Sequence, residues 1–162
     1  MIDLDEHILS AARVISDAKA RGARVWIIGN GGSMAIAQHF AQDMLKMAEV
    51  RAQTVNCPSI LTAFSNDHSF DYAFFAPLLV LRDKNDPVII FSCSGQSRNY
   101  IEFISQDVQP IVAVVGTDGG FLKGKAKVCV HVRSIDYQIC ETAFCLVADL
   151  ILKKVMEDKI AA

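Results

Sequence analysis

The sequence predicts an α/β fold in which a parallel sheet is buried between helices. Short apolar runs of four to six residues alternate with longer segments whose apolar residues recur at helical spacing. Such runs are typical of parallel strands, because helices cover both faces of the sheet. Glycine- and serine-rich turns follow the runs that end at Ile28 and Phe91. These turns therefore fall at the carboxyl ends of strands, where open α/β sheets bind ligands.

Helical spacing and breaker residues define the first three elements. Apolar residues recur three and four positions apart over residues 3–21, and Gly22 ends this predicted helix. The apolar run at 24–28 is a predicted buried strand. Ser33 is expected to cap the next helix, which runs to about Met47, because a serine hydroxyl can accept hydrogen bonds from the first N–H groups of a helix.

The middle of the chain is predicted to hold a short strand and two helices. The strand covers residues 52–56, and Pro58 suits the first turn of the helix that follows. The polar stretch at 66–68 is expected to break this helix, and a helix resumes over 71–82. The break would leave a polar loop that could contact sugar hydroxyls.

The second half continues the alternation of strands and helices. Its predicted elements are strand 88–91, helix 96–105, strand 111–115, loop 116–120, strand 127–132 and a final helix over 137–157. The chain has no internal repeat, low-complexity stretch or linker, so we expect a single domain over residues 1–162.

The composition argues against several classes of partner. The net charge is −2 and the isoelectric point about 6.0, so no basic excess favours nucleic acid or an anionic membrane. No apolar stretch approaches the roughly 20 residues that span a bilayer. Five cysteines without close pairing motifs indicate reduced thiols in a cytoplasmic protein. Hydrophobic residues make up 52% of the chain, which favours burial of apolar surface between identical subunits.

The second glycine/serine turn predicts a phosphate site. Ser92, Ser94 and Ser97 supply three hydroxyls within six residues, and Gly95 lets the backbone approach a ligand closely. Neutral hydroxyls and the positive end of a helix dipole suit a phosphate dianion. One serine would indicate only a helix cap, whereas three at this spacing favour phosphate binding. Cys93, in the same turn, is expected to pack rather than to react.

The first turn is expected to face the same ligand. Gly31 gives the backbone freedom, Asn30 offers a polar contact and Ser33 follows two residues later. The turn is not a Walker loop, because no Gly-Lys-Ser/Thr sequence follows it, and it lacks the full Gly-x-Gly-x-x-Gly pattern. Two such turns in one small domain instead suggest a phosphorylated ligand whose polar body spans the gap between them.

Three titratable side chains are candidates for chemistry. His39 and Asp43 are four residues apart and so share one face of a helix. They could form a base or a metal-binding pair near the ligand, or only a hydrogen bond on a partly exposed surface. Glu141 lies among apolar residues of the last helix, where a carboxylate requires a partner or a role.

Five motifs occur along the chain in a fixed order. They are Gly29-Asn30-Gly31-Gly32-Ser33, Gln38-His39-Phe40-Ala41, Ser65-Asn66-Asp67, Ser92-Cys93-Ser94-Gly95-Gln96-Ser97 and Gly116-Thr117-Asp118-Gly119-Gly120. Together they closely resemble the motifs of phosphoheptose isomerases, which are sugar-isomerase (SIS) domain proteins. The resemblance implies a three-layer α/β sandwich with a five-stranded parallel sheet, and a homotetramer with its sites at subunit contacts. It also implies conversion of sedoheptulose 7-phosphate into an aldoheptose phosphate, an early step toward heptose in surface polysaccharides such as lipopolysaccharide.

The resemblance also assigns binding roles to residues of these motifs. The implied phosphate ligands are the three serines of the second turn, and the implied sugar contacts come from the first turn and from the third motif. The residues are, for the phosphate, Ser92, Ser94 and Ser97; for the sugar, Asn30, Ser33 and Asp67; and, as further substrate contacts in the two turns, Gly31, Cys93 and Gln96.

At the catalytic positions the chain departs from the family. Asp43 takes the place of a glutamate base, and its side chain is one methylene shorter. In the last helix a Cys140–Glu141 pair replaces a Gln-Glu pair, and Ala148, followed by Asp149, replaces a histidine. The catalytic candidates are therefore Asp43, Glu141 and Asp149, which would move a proton between C1 and C2 through an enediol.

The resemblance also suggests zinc as a cofactor. In several members the first histidine, the base, the glutamine and the last histidine bind zinc. The matching set here is His39, Asp43 and Cys140, without a fourth protein ligand. A thiolate binds zinc well, so the cysteine is compatible with a metal site.

Two functions remain open from the sequence. The first is an isomerase that acts on a sugar phosphate with altered catalytic residues. The second is a non-catalytic phosphosugar-binding protein that regulates or binds a partner. Convergence of Asp43 and Asp149 near the C1–C2 edge of the sugar would favour the enzyme, and divergence would favour the binding protein.

Overall fold

A computed structural model describes residues 4–106, 108 and 110–158. The five strands among these residues form one parallel sheet with the order β2-β1-β3-β4-β5. They are β1 (Val25–Gly29), β2 (Ala52–Gln53), β3 (Val88–Ser92), β4 (Ile111–Val115) and β5 (Val128–His131). Every residue of β1, β3 and β4 is buried, as expected for strands that are covered on both faces. The predicted five-stranded parallel sheet is confirmed.

Helices cover the sheet on both faces and complete the three-layer sandwich. The helices are α1 (Leu4–Ala20), α2 (Gly32–Met47), α3 (Pro58–Asp67), α4 (Phe75–Leu81), α5 (Arg98–Ile104), α6 (Gly120–Lys125) and α7 (Tyr137–Asp158), with a 3-10 turn at Phe70–Tyr72. Helices α1, α2 and α7 pack into one apolar core, and residues of α3 to α6 pack into a second core on the opposite face. No helix in the described ranges is both long and apolar enough to span a membrane.

The strand order brings the two glycine/serine turns together. β1 pairs with β2 on one side and with β3 on the other, and Gly29 lies opposite Phe91 in the register of the second pair. The turns that follow these residues therefore leave the sheet side by side. This is the point where the strand order reverses, and doubly wound α/β sheets bind their ligands in the crevice that opens there.

Two local predictions are wrong and one is confirmed. Ser33 does not cap α2, because Gly31 holds the cap position with a φ of 56°, a conformation that favours glycine. Helix α3 ends at Asp67, inside the polar stretch at 66–68 that is predicted to break it, and the Asn66 amide donates to the Asp67 carboxylate. The predicted loop at 116–120 leads into α6, which low helix propensity concealed because two of its six residues are glycine.

Two further elements are shorter than predicted. β2 covers only two residues at the sheet edge. Helix α5 begins at Arg98 rather than at residue 96, because the backbone N–H of Gln96 donates to the Ser94 hydroxyl at 3.2 Å within the preceding turn. The serine-rich segment is thus a turn in its own right, which keeps its hydroxyls outside the helix.

Candidate functional site

A crevice of about 100 Å³ lies between the ends of β1 and β3. Both glycine/serine turns, the first turn of α5 and the first turns of α7 form its walls. The lining residues are Asn30, Ser33, Phe91, Ser92, Cys93, Ser94, Ser97, Tyr100, Tyr137 and Glu141. This volume is well below the roughly 300–1,000 Å³ that enclose a drug-sized ligand. The crevice can therefore enclose only one end of a sugar phosphate.

Two hydroxyls of the serine turn each accept one hydrogen bond from the backbone of the turn. The Ser92 hydroxyl accepts the N–H of Gly95 at 3.0 Å, and the Ser94 hydroxyl accepts the N–H of Gln96 at 3.2 Å. A hydroxyl that accepts one hydrogen bond still has its own proton to donate. Backbone N–H groups of the turn thus hold the hydroxyl oxygens of Ser92 and Ser94 in place, and the O–H groups remain able to donate to a ligand anion.

Gly95 is required for the shape of this turn. Its φ is +63°, in the left-handed region, and a Cβ at this position would collide with the carbonyl of Gly119. The serine turn therefore packs directly on the loop before α6, which also supplies Thr117, whose hydroxyl donates to the Cys93 carbonyl at 3.2 Å.

A pair of asparagine side chains joins the two turns. The Asn30 amide donates to the Asn99 carbonyl oxygen at 3.2 Å, and the Asn99 amide donates back at 3.0 Å. Asn99 is 1% exposed, so this reciprocal pair is largely shielded from water. Each amide keeps a second N–H. Asn30 can thus hold its position through Asn99 and still donate to a ligand in the crevice.

Glu141 lies against the start of α2. A Cβ built on Gly32 would be 2.6 Å from Cδ of Glu141, so the carboxylate occupies the space that any larger residue would fill. The first N–H groups of a helix are unsatisfied and carry a partial positive charge, which favours a carboxylate there. Gly32 therefore allows α7 to bring Glu141 to the crevice beside the first turn.

The Cys93 thiol lines the crevice, and the thiol of Cys140 lies next to it outside the crevice. Cys140 is fully buried, and its thiol donates to the Ser134 carbonyl at 3.3 Å. Burial, and then the neighbouring Cys140 and Glu141, raise the pKa of the Cys93 thiol to about 11. A thiol that stays protonated at neutral pH is a poor nucleophile. This protonation state agrees with the interpretation of Cys93 as a packing residue.

The charge of the crevice is unusual for an anion site. Among the described residues that line it none is basic, and Glu141 is the one carboxylate. A phosphoryl group would therefore rely on neutral donors and would be repelled by Glu141 at close range. The neutral donors of the serine turn and the repulsion by Glu141 would both favour one orientation of such a ligand, with the phosphoryl group at the serine turn and the carbon chain toward Glu141.

Several predicted site residues do not line the crevice. His39 and Asp43 pair with each other, Nε2 to Oδ2, at 3.2 Å, and the His39 side chain is 67% exposed. Asp43 is 11 residues beyond Gly32, which places it about 16 Å along α2. Of the other predicted residues outside the walls, four are exposed, namely Gly31, Asp67, Gln96 and Asp149, whereas Cys140 is buried.

The implied zinc site does not fit these residues. Within the part of the chain that the structure describes, no group of three or more histidine, cysteine, aspartate or glutamate side chains could hold a metal ion. The carboxylate of Asp43 is engaged by His39, whereas Cys140 is buried and donates to a backbone carbonyl. The predicted set of His39, Asp43 and Cys140 is therefore not assembled within one chain.

Three residues that line the crevice were not singled out by the sequence, namely Phe91, Tyr100 and Tyr137. Asn99, which pairs with Asn30 but does not line the crevice, was not singled out either. Asn99 is a polar residue two positions beyond the predicted phosphate turn, and this position is the one signal in the sequence that could have marked it. Tyr100 follows Asn99, and Tyr137 lies between Asp136 and Gln138, so no local pattern marks either tyrosine.

Comparisons with known proteins identify the family. A family model described as the SIS domain matches residues 2–116. The phosphoheptose isomerase of Geobacter sulfurreducens is 31% identical, over 94% of this chain and 87% of that protein. That of Alteromonas mediterranea is 38% identical, over 75% of this chain and 66% of that protein. This chain belongs to the phosphoheptose isomerase family of SIS-domain proteins.

Solved structures of the phosphoheptose isomerase family share the fold. The phosphoheptose isomerase of Neisseria gonorrhoeae is 28% identical, with a TM-score of 0.85 over 93% of this chain and 85% of that one. The enzyme of Francisella tularensis has a TM-score of 0.86 over 94% and 86%, at 22% identity. The recognition of the family from its motifs, and the three-layer fold that it implied, are confirmed.

Proposed function

We propose that this protein interconverts a ketose phosphate and the corresponding aldose phosphate, with sedoheptulose 7-phosphate as the first candidate substrate. Membership of the phosphoheptose isomerase family supports the substrate class. One observation about this chain carries the proposal. The Glu141 carboxylate shares a crevice of about 100 Å³ with the serine turn, so a base and a phosphate site face the same ligand.

The proposed reaction is a proton transfer between adjacent carbons. Glu141 removes a proton from the carbon next to the carbonyl, the carbonyl oxygen gains a proton, and an enediol forms. Return of a proton to the former carbonyl carbon, with loss of the hydroxyl proton from the neighbouring carbon, gives the isomeric sugar. Hydrogen bonds to the developing oxyanion stabilise such a step. The second N–H of Asn30 and the hydroxyl of Ser33 are the donors that the crevice offers.

We propose that the phosphoryl group binds in the crevice and that the sugar extends from its mouth. The small volume supports this placement, which requires the C1–C2 end of the sugar to fold back toward Glu141 on the crevice wall. A second subunit would then cover the sugar, as in the homotetramer that the family resemblance implies. Asp43 remains a predicted catalytic residue, but its position along α2 means that it could act only from a neighbouring subunit. Light scattering at micromolar concentration tests the assembly, and a monomer mass would exclude it.

A second candidate is phosphosugar binding without turnover. The specific observation that favours it is that neither Asp43 nor Asp149 lines the crevice, while the position of the family histidine is Ala148, which is buried and cannot titrate. In this case the serine turn and Asn30 would bind the ligand, and Glu141 would only restrict which sugars fit. The binding and catalytic functions differ in their products, so turnover decides between them.

The experiment is incubation of the protein with sedoheptulose 7-phosphate, with and without zinc, and direct detection of aldoheptose phosphate. The enzyme proposal requires product in the absence of added zinc and much less product with the Glu141→Gln variant. Saturable binding of sedoheptulose 7-phosphate without product would establish the second candidate. The serine-turn variant Ser94→Ala serves as the control that weakens binding of the phosphate without touching the base.

We further propose that the chain forms one domain and acts in the cytoplasm. The single sheet of all described strands supports the first statement. The five free cysteines support the second, because secreted proteins of this size commonly pair theirs. A role in heptose supply for lipopolysaccharide follows only if sedoheptulose 7-phosphate proves to be the substrate.

A further inference from the structure

Tyr100 combines two properties that are seldom found together in a folded protein. It is 0% exposed, and its hydroxyl has no hydrogen-bond partner within the described residues. A buried polar group without a partner costs about 1–3 kcal/mol. Nearly all buried polar side chains of native proteins therefore find a partner, in the protein or in a bound molecule.

The position of Tyr100 indicates where its partner would come from. The residue lies on the third position of α5 and forms part of the crevice wall, next to the serine turn. Its ring stacks on Phe74 with centroids 6.4 Å apart, so the apolar core holds it in one orientation. The hydroxyl is thus a fixed group at the same crevice as Ser92 and Ser97.

The Tyr100 hydroxyl is protonated and can therefore act as a hydrogen-bond donor. Burial, and then the nearby Cys93 thiol, raise the pKa of the Tyr100 hydroxyl above its ordinary value. The group therefore keeps its proton across the physiological range and can donate it. Because no described residue of the wall is basic, a neutral donor of this kind adds to the few groups that can meet an anion.

We propose that Tyr100 donates its phenolic hydrogen to an oxygen of the bound phosphoryl group and thereby favours phosphorylated over unphosphorylated ligands. This assignment rests on the proposed function in one respect, namely that the crevice is the phosphoryl site. It adds a buried donor, held by the apolar core, to the serine hydroxyls. Because the hydroxyl is fully buried without a ligand, the side chains that cover it must shift for a phosphoryl oxygen to reach it.

The test is the isosteric Tyr100→Phe variant, which removes one oxygen atom. Binding of inorganic phosphate and of sedoheptulose 7-phosphate would be measured by calorimetry, and thermal unfolding would be followed with and without each ligand. Tyr72→Phe is the matched control, because Tyr72 lies in the 3-10 turn and does not line the crevice. We expect Tyr100→Phe to weaken phosphate binding by roughly tenfold or more, as for the loss of a hydrogen bond to a charged group.

The unliganded protein supplies the second readout. Without ligand, Tyr100→Phe should unfold at the same temperature as the wild type or higher, because it removes an unsatisfied buried group. The stabilisation that phosphate adds should shrink at the same time. A lower unfolding temperature with unchanged phosphate affinity would overturn the proposal and assign the hydroxyl to internal structure.

The same experiment separates this inference from the proposed function. If the wild type binds phosphate, Ser94→Ala weakens it and Tyr100→Phe does not, then the crevice is the phosphoryl site and only the role of Tyr100 is wrong. If the wild type binds neither phosphate nor sedoheptulose 7-phosphate, the phosphoryl site itself is wrong and both proposals are overturned.

Discussion

Addition of one methyl group at residue 32, in Gly32→Ala, should lower the rate of isomerisation and leave the stability of the fold almost unchanged. In Gly32→Ala the new Cβ would be 2.6 Å from Cδ of Glu141. Carbon atoms in contact are normally about 3.5–4.0 Å apart, so the carboxylate must retreat by about 1 Å. A displacement of this size at a reacting group can lower turnover about 100-fold, equivalent to about 2.7 kcal/mol of barrier. We therefore expect a large loss of isomerase turnover from a substitution that adds no charge.

The stability of Gly32→Ala should change little. Alanine favours a helix over glycine by about 0.5–1 kcal/mol, and this gain opposes the cost of moving the flexible end of one glutamate. Gly124→Ala is the matched control, since Gly124 lies in α6 with nothing within 4 Å of an added Cβ. The assay is turnover of sedoheptulose 7-phosphate alongside calorimetric binding of phosphate. Unchanged turnover by folded Gly32→Ala, or an equal loss in Gly124→Ala, would refute the role given to Glu141.

Other predictions concern the serine turn and the exposed thiol. Ser94→Ala should weaken phosphate binding roughly tenfold or more in a calorimetric titration, because it removes a donor to a charged group; equal affinity would exclude the serine turn as the site. Gly95→Ala should lower the unfolding temperature, because the φ of +63° and the Gly119 carbonyl both disfavour a side chain there, and a temperature equal to that of the wild type would contradict this packing. Hydrogen bonds, first from the Ser59 hydroxyl and then from backbone N–H groups, lower the pKa of the Cys57 thiol. Its alkylation should therefore reach half-maximal rate at a lower pH than that of an ordinary exposed thiol, as mass spectrometry of the labelled peptide would measure; a midpoint at or above the ordinary value would argue against these hydrogen bonds.

The fold was predictable because its signals are local. β1, β3 and β4 are buried along their whole length because both faces are covered, and their runs of apolar residues stand out from the helical spacing around them. The wrong predictions concern local structure that depends on the fold around it. The cap of α2 depends on the backbone conformation of Gly31, and α6 forms despite two glycines because it packs on β4 and β5.

Only the part of the site that lies within one short segment of the chain could be predicted from the sequence. The three serines of the second turn lie within six residues, so their joint role could be inferred from spacing. The reciprocal pair of Asn30 and Asn99 joins residues 69 apart, and the approach of Glu141 to Gly32 spans more than a hundred. Contacts of this range leave no periodic signal in one sequence. The implied roles of Asp43 and Asp149 remain predictions, because neither residue lines the crevice of a single chain.

The most direct measurement is exchange of substrate hydrogen with solvent. Sedoheptulose 7-phosphate would be incubated with the protein in deuterium oxide, and deuterium at C1 and in the aldose product would be followed by nuclear magnetic resonance. A carboxylate that carries the transferred proton can exchange it with solvent before returning it, so deuterium can enter the sugar even when net conversion is small. We expect deuterium incorporation with the wild type, and loss of it in Glu141→Gln with phosphate binding retained. Incorporation by Glu141→Gln at the wild-type rate, or bound substrate that the wild type neither deuterates nor converts, would contradict the assignment of proton transfer to Glu141 in this crevice.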